Sequence, residues 1–148
     1  MRPNQIRPLA LGIFVHDGKI LVFEGYDPAD GRCFYRPLGG GIEFGERGHE
    51  TLVREMREEI GAEVTNVRYL GLNESIFTHN GGVGHEIVLL YTGEFCDPAF
   101  YERQSFTGED GDQTLRVSWM PLADFAAGRA LLVPLGLLEM VTQHETRA

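Results

Sequence analysis

A chain of 148 residues with 43% hydrophobic content can bury one good core, and a single domain spanning residues 1–148 is the expectation. Thirteen Lys and Arg against 22 Asp and Glu leave a formal charge of -9, which argues against a duplex nucleic-acid binder, because such proteins normally carry a basic footprint. The longest apolar runs, such as Ile87 to Tyr91, are far too short to span a bilayer, so no membrane association is expected.

In chain order, Arg2, Arg7 and the apolar stretch Leu9 to Val15 first raise the question of a secretory leader. No small-residue cleavage site follows, and the stretch runs into Asp17-Gly18, a hairpin turn signal. Ile6 to His16 and Lys19 to Glu24 therefore read as paired strands, and Gly25 to Phe34, with Pro28, Asp30 and Gly31, as a loop. A short strand around Tyr35 leads into the loop Arg36-Pro37-Leu38-Gly39-Gly40-Gly41. Apolar periodicity predicts a helix over Gly48 to Ile60, with Gly61 as a left-handed stop. Glu63 to Phe77 and Glu86 to Phe95 read as long strands around the turn-rich Asn80 to Gly84. Asp97 to Asp112 reads as a long acidic loop, Thr114 to Met120 as a strand, and Leu135 to His144 as a closing helix. Strands mixed with two helices suit an α+β fold, an α/β/α sandwich around a mixed sheet. Cys33 and Cys96 lack metal-ligand spacing and fit reduced thiols in a cytoplasmic protein, a disulfide being the other possibility.

The central helix carries the chemistry. Advancing about 100° per residue from Leu52, Val53, Met56 and Ile60 share one arc, and Glu55, Glu58 and Glu59 crowd another. Like charges at i,i+3 and i,i+4 cost a few tenths of a kcal/mol each. Arg54 alone is placed to offset them, pairing with Glu50 and reaching Glu58. A divalent cation would relieve the rest, since Mg²⁺ takes hard oxygen ligands from few carboxylates and leaves other positions to water and phosphates. A solvated acidic face is the bland alternative. The glycines before the helix favour the ligand reading, because they let backbone approach a ligand closely.

Gly40, five residues, Glu46, seven residues, Arg54-Glu55-Met56, one residue, Glu58-Glu59, one residue, Gly61-Ala62 resembles the Nudix box, Ala62 standing where a larger aliphatic residue is usual. The resemblance implies a Nudix hydrolase, a single α/β/α domain that cleaves a nucleoside diphosphate linked to another moiety. It implies that Glu55, Glu58 and Glu59, with the Gly39 carbonyl, hold Mg²⁺ or Mn²⁺. It casts Glu46 and Arg54 as supporting groups, Arg54 orienting a catalytic carboxylate, and leaves the general base open among a box glutamate, Glu55 and Glu58 included, and Glu86, Glu102 and Glu109. The reaction implied is attack by water on a pyrophosphate phosphorus, with the metal inverting the local sign of an acidic protein.

Outside the box, Glu86 opens a strand row shared with Val88 and Leu90. It is either a metal or substrate contact or a residue at the exposed start of the strand. Glu102 and Glu109 are candidate bases on the acidic loop, with solvated glutamates as the alternative. Arg36, beside the glycines, is the candidate phosphate contact, with Gly40 and Gly41 as further substrate-binding positions. His16, His49, His79 and His144 lack zinc-like spacing. Phe77 stands 15 residues past the box, where ADP-ribose hydrolases often carry proline, and the NADH and coenzyme A signatures are missing. The expected partner is a small nucleotide: a nucleotide sugar, ADP-ribose, a dinucleoside polyphosphate or a damaged nucleotide. The chain is expected to act as a monomer or homodimer. A nucleotide-binding sensor domain without turnover is the alternative of another class.

Overall fold

The computed structural model describes residues 4–147, with side-chain placement through residue 145. Arg2, weighed in the leader question, lies outside the described residues. Nine strands and four helices follow in order: β1 (Ile6–Gly12), β2 (Val15–His16), β3 (Lys19–Asp27), β4 (Arg32–Arg36), β5 (Gly39–Gly41), α1 (Gly48–Ile60), β6 (Val64–His79), β7 (Gly82–Phe95), α2 (Ala99–Glu102), β8 (Ser105–Asp110), β9 (Gln113–Pro121), α3 (Leu122–Ala126) and α4 (Leu137–Arg147). No helix among the described residues is long and apolar enough to cross a membrane.

The strands form two sheets. One runs β5-β1-β7-β6 and is mixed, β1 lying parallel to β7 and the other pairs antiparallel. The second is antiparallel, β3 pairing with β9 on one side and with β2 and β4 on the other, and β9 pairing in turn with β8. Successive side chains alternate faces, and the burial follows suit. Ala10 and Leu21 join a core with Leu52 and Met56 of α1, whereas Leu9, Leu11, Ile20 and Val22 join another with Leu137 and Val141 of α4. Both faces of β1 and β3 are thus covered. That is why the stretch from Leu9 onward reads as an unbroken apolar run, as expected of doubly covered strands, and why the fold is an α/β/α sandwich.

Several expected boundaries shift. The run Ile6 to His16 divides into β1 and β2, which enter different sheets, and only the turn at Asp17-Gly18 makes the tight hairpin to β3, both residues having positive φ. Most of the loop expected over Gly25 to Phe34 is β structure, with a turn of about four residues. The glycines Gly39 to Gly41 are a short edge strand antiparallel to β1. The turn expected over Asn80 to Gly84 shrinks to Asn80-Gly81. The long acidic loop is replaced by α2, β8 and a turn at Gly111-Asp112, a Gly-Asp signal that pairs β8 with β9. Helix α1 keeps its expected bounds and ends on Gly61 at φ 67°.

β8 packs against the end of α1 at Gly108, where a β-carbon would stand 2.7 Å from the Glu59 carbonyl oxygen and 3.0 Å from Ile60. Backbone on one side leaves nothing to yield cheaply. Gly108→Val should therefore lower stability in urea melts by about 1–3 kcal/mol, the usual cost of overpacking. An unchanged midpoint would show that β8 is free to lift from the helix.

Candidate active site

α1 begins at Arg47, whose backbone N–H donates to the Glu50 side chain at 2.9 Å. That bond employs Glu50 in capping the helix. The Glu50–Arg54 pair expected from spacing is therefore replaced, and Arg54 turns to Glu46 in the preceding loop. Its Nε and Nη2 donate to the two Glu46 oxygens at 2.8 and 2.9 Å, a bidentate fork. Nη1 donates to Glu55 at 3.0 Å and to Glu58 at 3.2 Å, and Nη2 reaches the Gly41 carbonyl at 3.2 Å. Thr51 donates its hydroxyl to Glu46 as well. The Arg54 and Thr51 bonds hold the Glu46 carboxyl down to about 2, well below the ordinary carboxylate range.

Glu59 has the opposite environment. It is 5% exposed, and one of its oxygens accepts the Gly39 N–H of β5 at 3.1 Å. Burial, followed by the neighbouring Glu55 and Asp110 charges, pushes its carboxyl up to about 9. Burial likewise raises Glu55, against the pull of Arg54. Glu58 stays exposed at the helix surface.

Of these carboxylates Glu55 opens on a cleft of about 650 Å³, lined among others by Arg7, Gly39, Gly40, Gly41, Glu43, Phe44 and Asp110. Gly39 has φ 149°, and a β-carbon there would collide with the Ala10 carbonyl; one on Gly40 would collide with the Glu55 carboxylate. The strand must be bare for Glu55 to reach the cleft.

Glu86 is 4% exposed. Its place is inside the row with Val88 and Leu90, and the reading as an exposed strand start does not hold. Arg36 donates to it at 2.8 Å, and Arg7 stands 3.7 Å away. Arg36, the expected phosphate contact, is thus engaged with Glu86, and Arg7 is the arginine in the cleft lining. Glu102 and Glu109 are exposed on α2 and β8. Gly108 faces α1, so alternation turns Asp110 toward the helix as well and Glu109 away from it. Asp110 is a carboxylate of the cleft outside the expected set, and a strand followed by a Gly-Asp turn is the sequence signal that marks it.

Among the described residues, no three His, Cys, Asp or Glu side chains are gathered into a ready-made metal cage; Arg54 takes Glu55 and Glu58 into its own bonds. The donor set nevertheless fits a hard divalent cation: all oxygen, with a buried carboxyl beside two like charges that disfavour its ionisation.

The comparisons with known proteins agree with this geometry. A family model described as the NUDIX domain matches residues 6–137. Over 46 residues the chain is 44% identical to the NAD-capped RNA hydrolase NudC of Pseudomonas aeruginosa (strain LESB58), taking in 31% of this chain and 16% of that protein. It is 32% identical over 85 residues to the CTP pyrophosphohydrolase of Escherichia coli (strain K12), taking in 57% of this chain and 58% of that protein. It thus spans less than two thirds of either relative. A NUDIX hydrolase structure from Nitrosomonas europaea shares the fold, with a TM-score of 0.65 at 16% identity over 96% of this chain and 90% of that one. With the family model running from β1 to the start of α4, the chain belongs to the NUDIX domain family.

Proposed function

We propose that this chain is a single-domain, divalent-metal-dependent pyrophosphohydrolase that cleaves a nucleoside diphosphate linked to another moiety. The observation that carries the reading is the buried Glu59 carboxyl, set with Glu55 and Asp110 beneath a bare glycine strand. Glu55, Glu58, Glu59 and the Gly39 carbonyl would hold Mg²⁺ or Mn²⁺. A bound ion of this kind lowers the pKa of water and offsets charge developing on phosphate oxygens. The relatives named above act on nucleotide derivatives, which supports a small nucleotide as substrate. Free, exposed Cys33 and Cys96 suit a reducing compartment such as the cytoplasm.

The residues divide the work. Arg54 fixes Glu55 and Glu58 and is itself fixed by Glu46. The Gly39 N–H holds one Glu59 oxygen, leaving the other for a ligand. A water attacking phosphorus gives its proton to a carboxylate of the cleft, and Asp110, on the strand facing α1, is the acceptor in this reading, in place of Glu102 or Glu109.

A screen of nucleotide sugars, ADP-ribose, CTP and dinucleoside polyphosphates with Mg²⁺ or Mn²⁺, read by mass spectrometry with ¹⁸O-water, should show hydrolysis of at least one. Glu55→Gln, Glu58→Gln and Asp110→Asn should each lower kcat by about 100-fold or more with the fold intact. Wild-type protein inert to every compound, or full activity in the Glu55 and Glu58 variants, defeats the proposal.

Glu59 also fixes a pH dependence. Its folded value near 9 lies above the ordinary 4.5 of the unfolded chain. The protonated form therefore stabilises the metal-free fold fully below about pH 4.5, and that contribution is lost as pH rises through about 9. A cation must displace the same proton, so metal affinity climbs over this window. In EDTA, the thermal midpoint of wild type should fall relative to Glu59→Gln between about pH 5 and pH 9. Mg²⁺ or Mn²⁺ should restore it at the alkaline end in wild type alone. Parallel melting curves for the two proteins would contradict the assigned environment.

A further inference from the structure

We propose that Arg7 anchors the substrate by gripping a phosphate oxygen on the sheet face opposite the box carboxylates, so that the substrate lies across the bare edge strand β5. This rests on the pyrophosphohydrolase reading above and assigns within it the residue that binds the anion.

The first observation is the placement. Arg7 of β1 stands in register with Glu86 of β7, on the face shared with Leu9 and Leu11. Ala10, one step along, faces α1. β5 records both sides of the same edge: a β-carbon on Gly40 would run into Glu55, and one on Gly41 would lie 3.6 Å from Arg7 Nη2. One cleft nevertheless reaches both Arg7 and Glu55. It wraps the edge of the sheet where three successive residues carry no side chain, so a ligand can cross from one face to the other without displacing anything.

The second observation is the count of charges. Glu86 is one buried carboxylate facing two guanidinium groups. Arg36 satisfies it with a hydrogen bond of 2.8 Å, and its own side chain is 21% exposed. Arg7 stands at 3.7 Å, beyond hydrogen-bond reach, with its side chain 38% exposed. Among the described residues its guanidinium donates to no protein acceptor, so the five N–H donors of that group are unspent. The cluster keeps one net positive charge, and it sits on the Arg7 side.

The third is contrast. Glu43, Glu55 and Asp110 line the same cleft, and Arg7 is its one cationic lining residue among those described. Arg54 is consumed by hydrogen bonds to three carboxylates and an ion pair with Glu43. An anionic substrate entering an acidic cleft gains from a guanidinium that is preoriented by a buried carboxylate and still has donors to give. Glu86 is then a positioning residue for Arg7, and Arg36 keeps Glu86 charged and paired.

The test uses the full chain, a substrate identified by the screen above, and ADP as a binding probe in calorimetry with Mg²⁺. Arg7→Gln should raise KM by about 10- to 100-fold and weaken ADP binding to match, with kcat within about 3-fold of wild type. Arg7→Lys should recover part of the loss by keeping the charge without the fork. The thermal midpoint should hold, since Arg36 still pairs Glu86. Unchanged KM and ADP binding in Arg7→Gln, or a loss confined to kcat, overturns the assignment. A wild type that binds ADP through Arg7 yet hydrolyses nothing in the screen would overturn the enzymatic reading and leave the anchor standing.

Discussion

The geometry of this site depends on a single guanidinium, because Arg54 is the point at which the loop, the edge strand and the helix are tied to one another. Its fork takes Glu46 from the loop in two hydrogen bonds, Glu55 and Glu58 from its own helix, and the Gly41 carbonyl from β5. A lysine offers three donors around a point charge and cannot span a planar set of partners in this way. Without that span, three carboxylates would face each other across a few ångströms, and the Gly39–Glu59 hydrogen bond would be left to set the distance of α1 from β5. The expected pairing of Arg54 with Glu50 would have spent it within the helix. Capping at Arg47 takes Glu50 away and leaves Arg54 free to bridge elements.

Two glutamates 13 positions apart in the sequence are thereby pushed in opposite directions. Glu46, gripped by Arg54 and Thr51, is a permanent anion that pins the arginine. Glu59, buried below Gly39 and beside like charges, is a carboxyl that ionises only when something compensates it. Groups of one chemical kind separated this far by their surroundings mark a division of labour: one is structure, the other the group to which the proposed function gives the cation. The overall charge of -9 says nothing of this. What matters is that Glu46 has a guanidinium partner, whereas Glu59 has only the Gly39 N–H.

Much of the fold was legible because local pattern and tertiary environment agree. The bounds of α1, its glycine stop and the box spacing follow from periodicity and turn chemistry, and the apolar run in β1 from coverage on both faces. The misses share a cause: they turn on what lies across from a residue. Alternation could place Glu86 beside Val88 and Leu90, but a sequence cannot show that Arg36 and Arg7 converge there from other strands. Glu59 falls on the acidic arc of the helical projection, and only the strand above it makes that position buried. Length and acidity make Asp97 to Asp112 look like a loop and hide Asp110, although the Gly-Asp turn beyond β8 carries a hairpin signal. Metal ligation and the choice of substrate rest on such cross-element relations, which is why the family was readable and the binding residue was not.

The glycines of β5 show the same point at the scale of single atoms. Read as a loop, Gly39-Gly40-Gly41 would mean flexibility; paired with Leu9 to Leu11, they are held in an ordered strand. Each has a different neighbour. Gly39 takes a φ of 149° and must clear the Ala10 carbonyl; Gly40 must clear Glu55; Gly41 lies beside Arg7. The first is a backbone requirement, the second belongs to the carboxylate side of the sheet and the third to the opposite side. A methyl group at Gly39 or Gly40 would therefore disturb a different part of the site, whereas one at Gly41 would make only ordinary contact with Arg7. An edge strand normally needs side chains to discourage pairing with another chain. Here it is short and bare, which suits an edge kept open for a ligand to pass over.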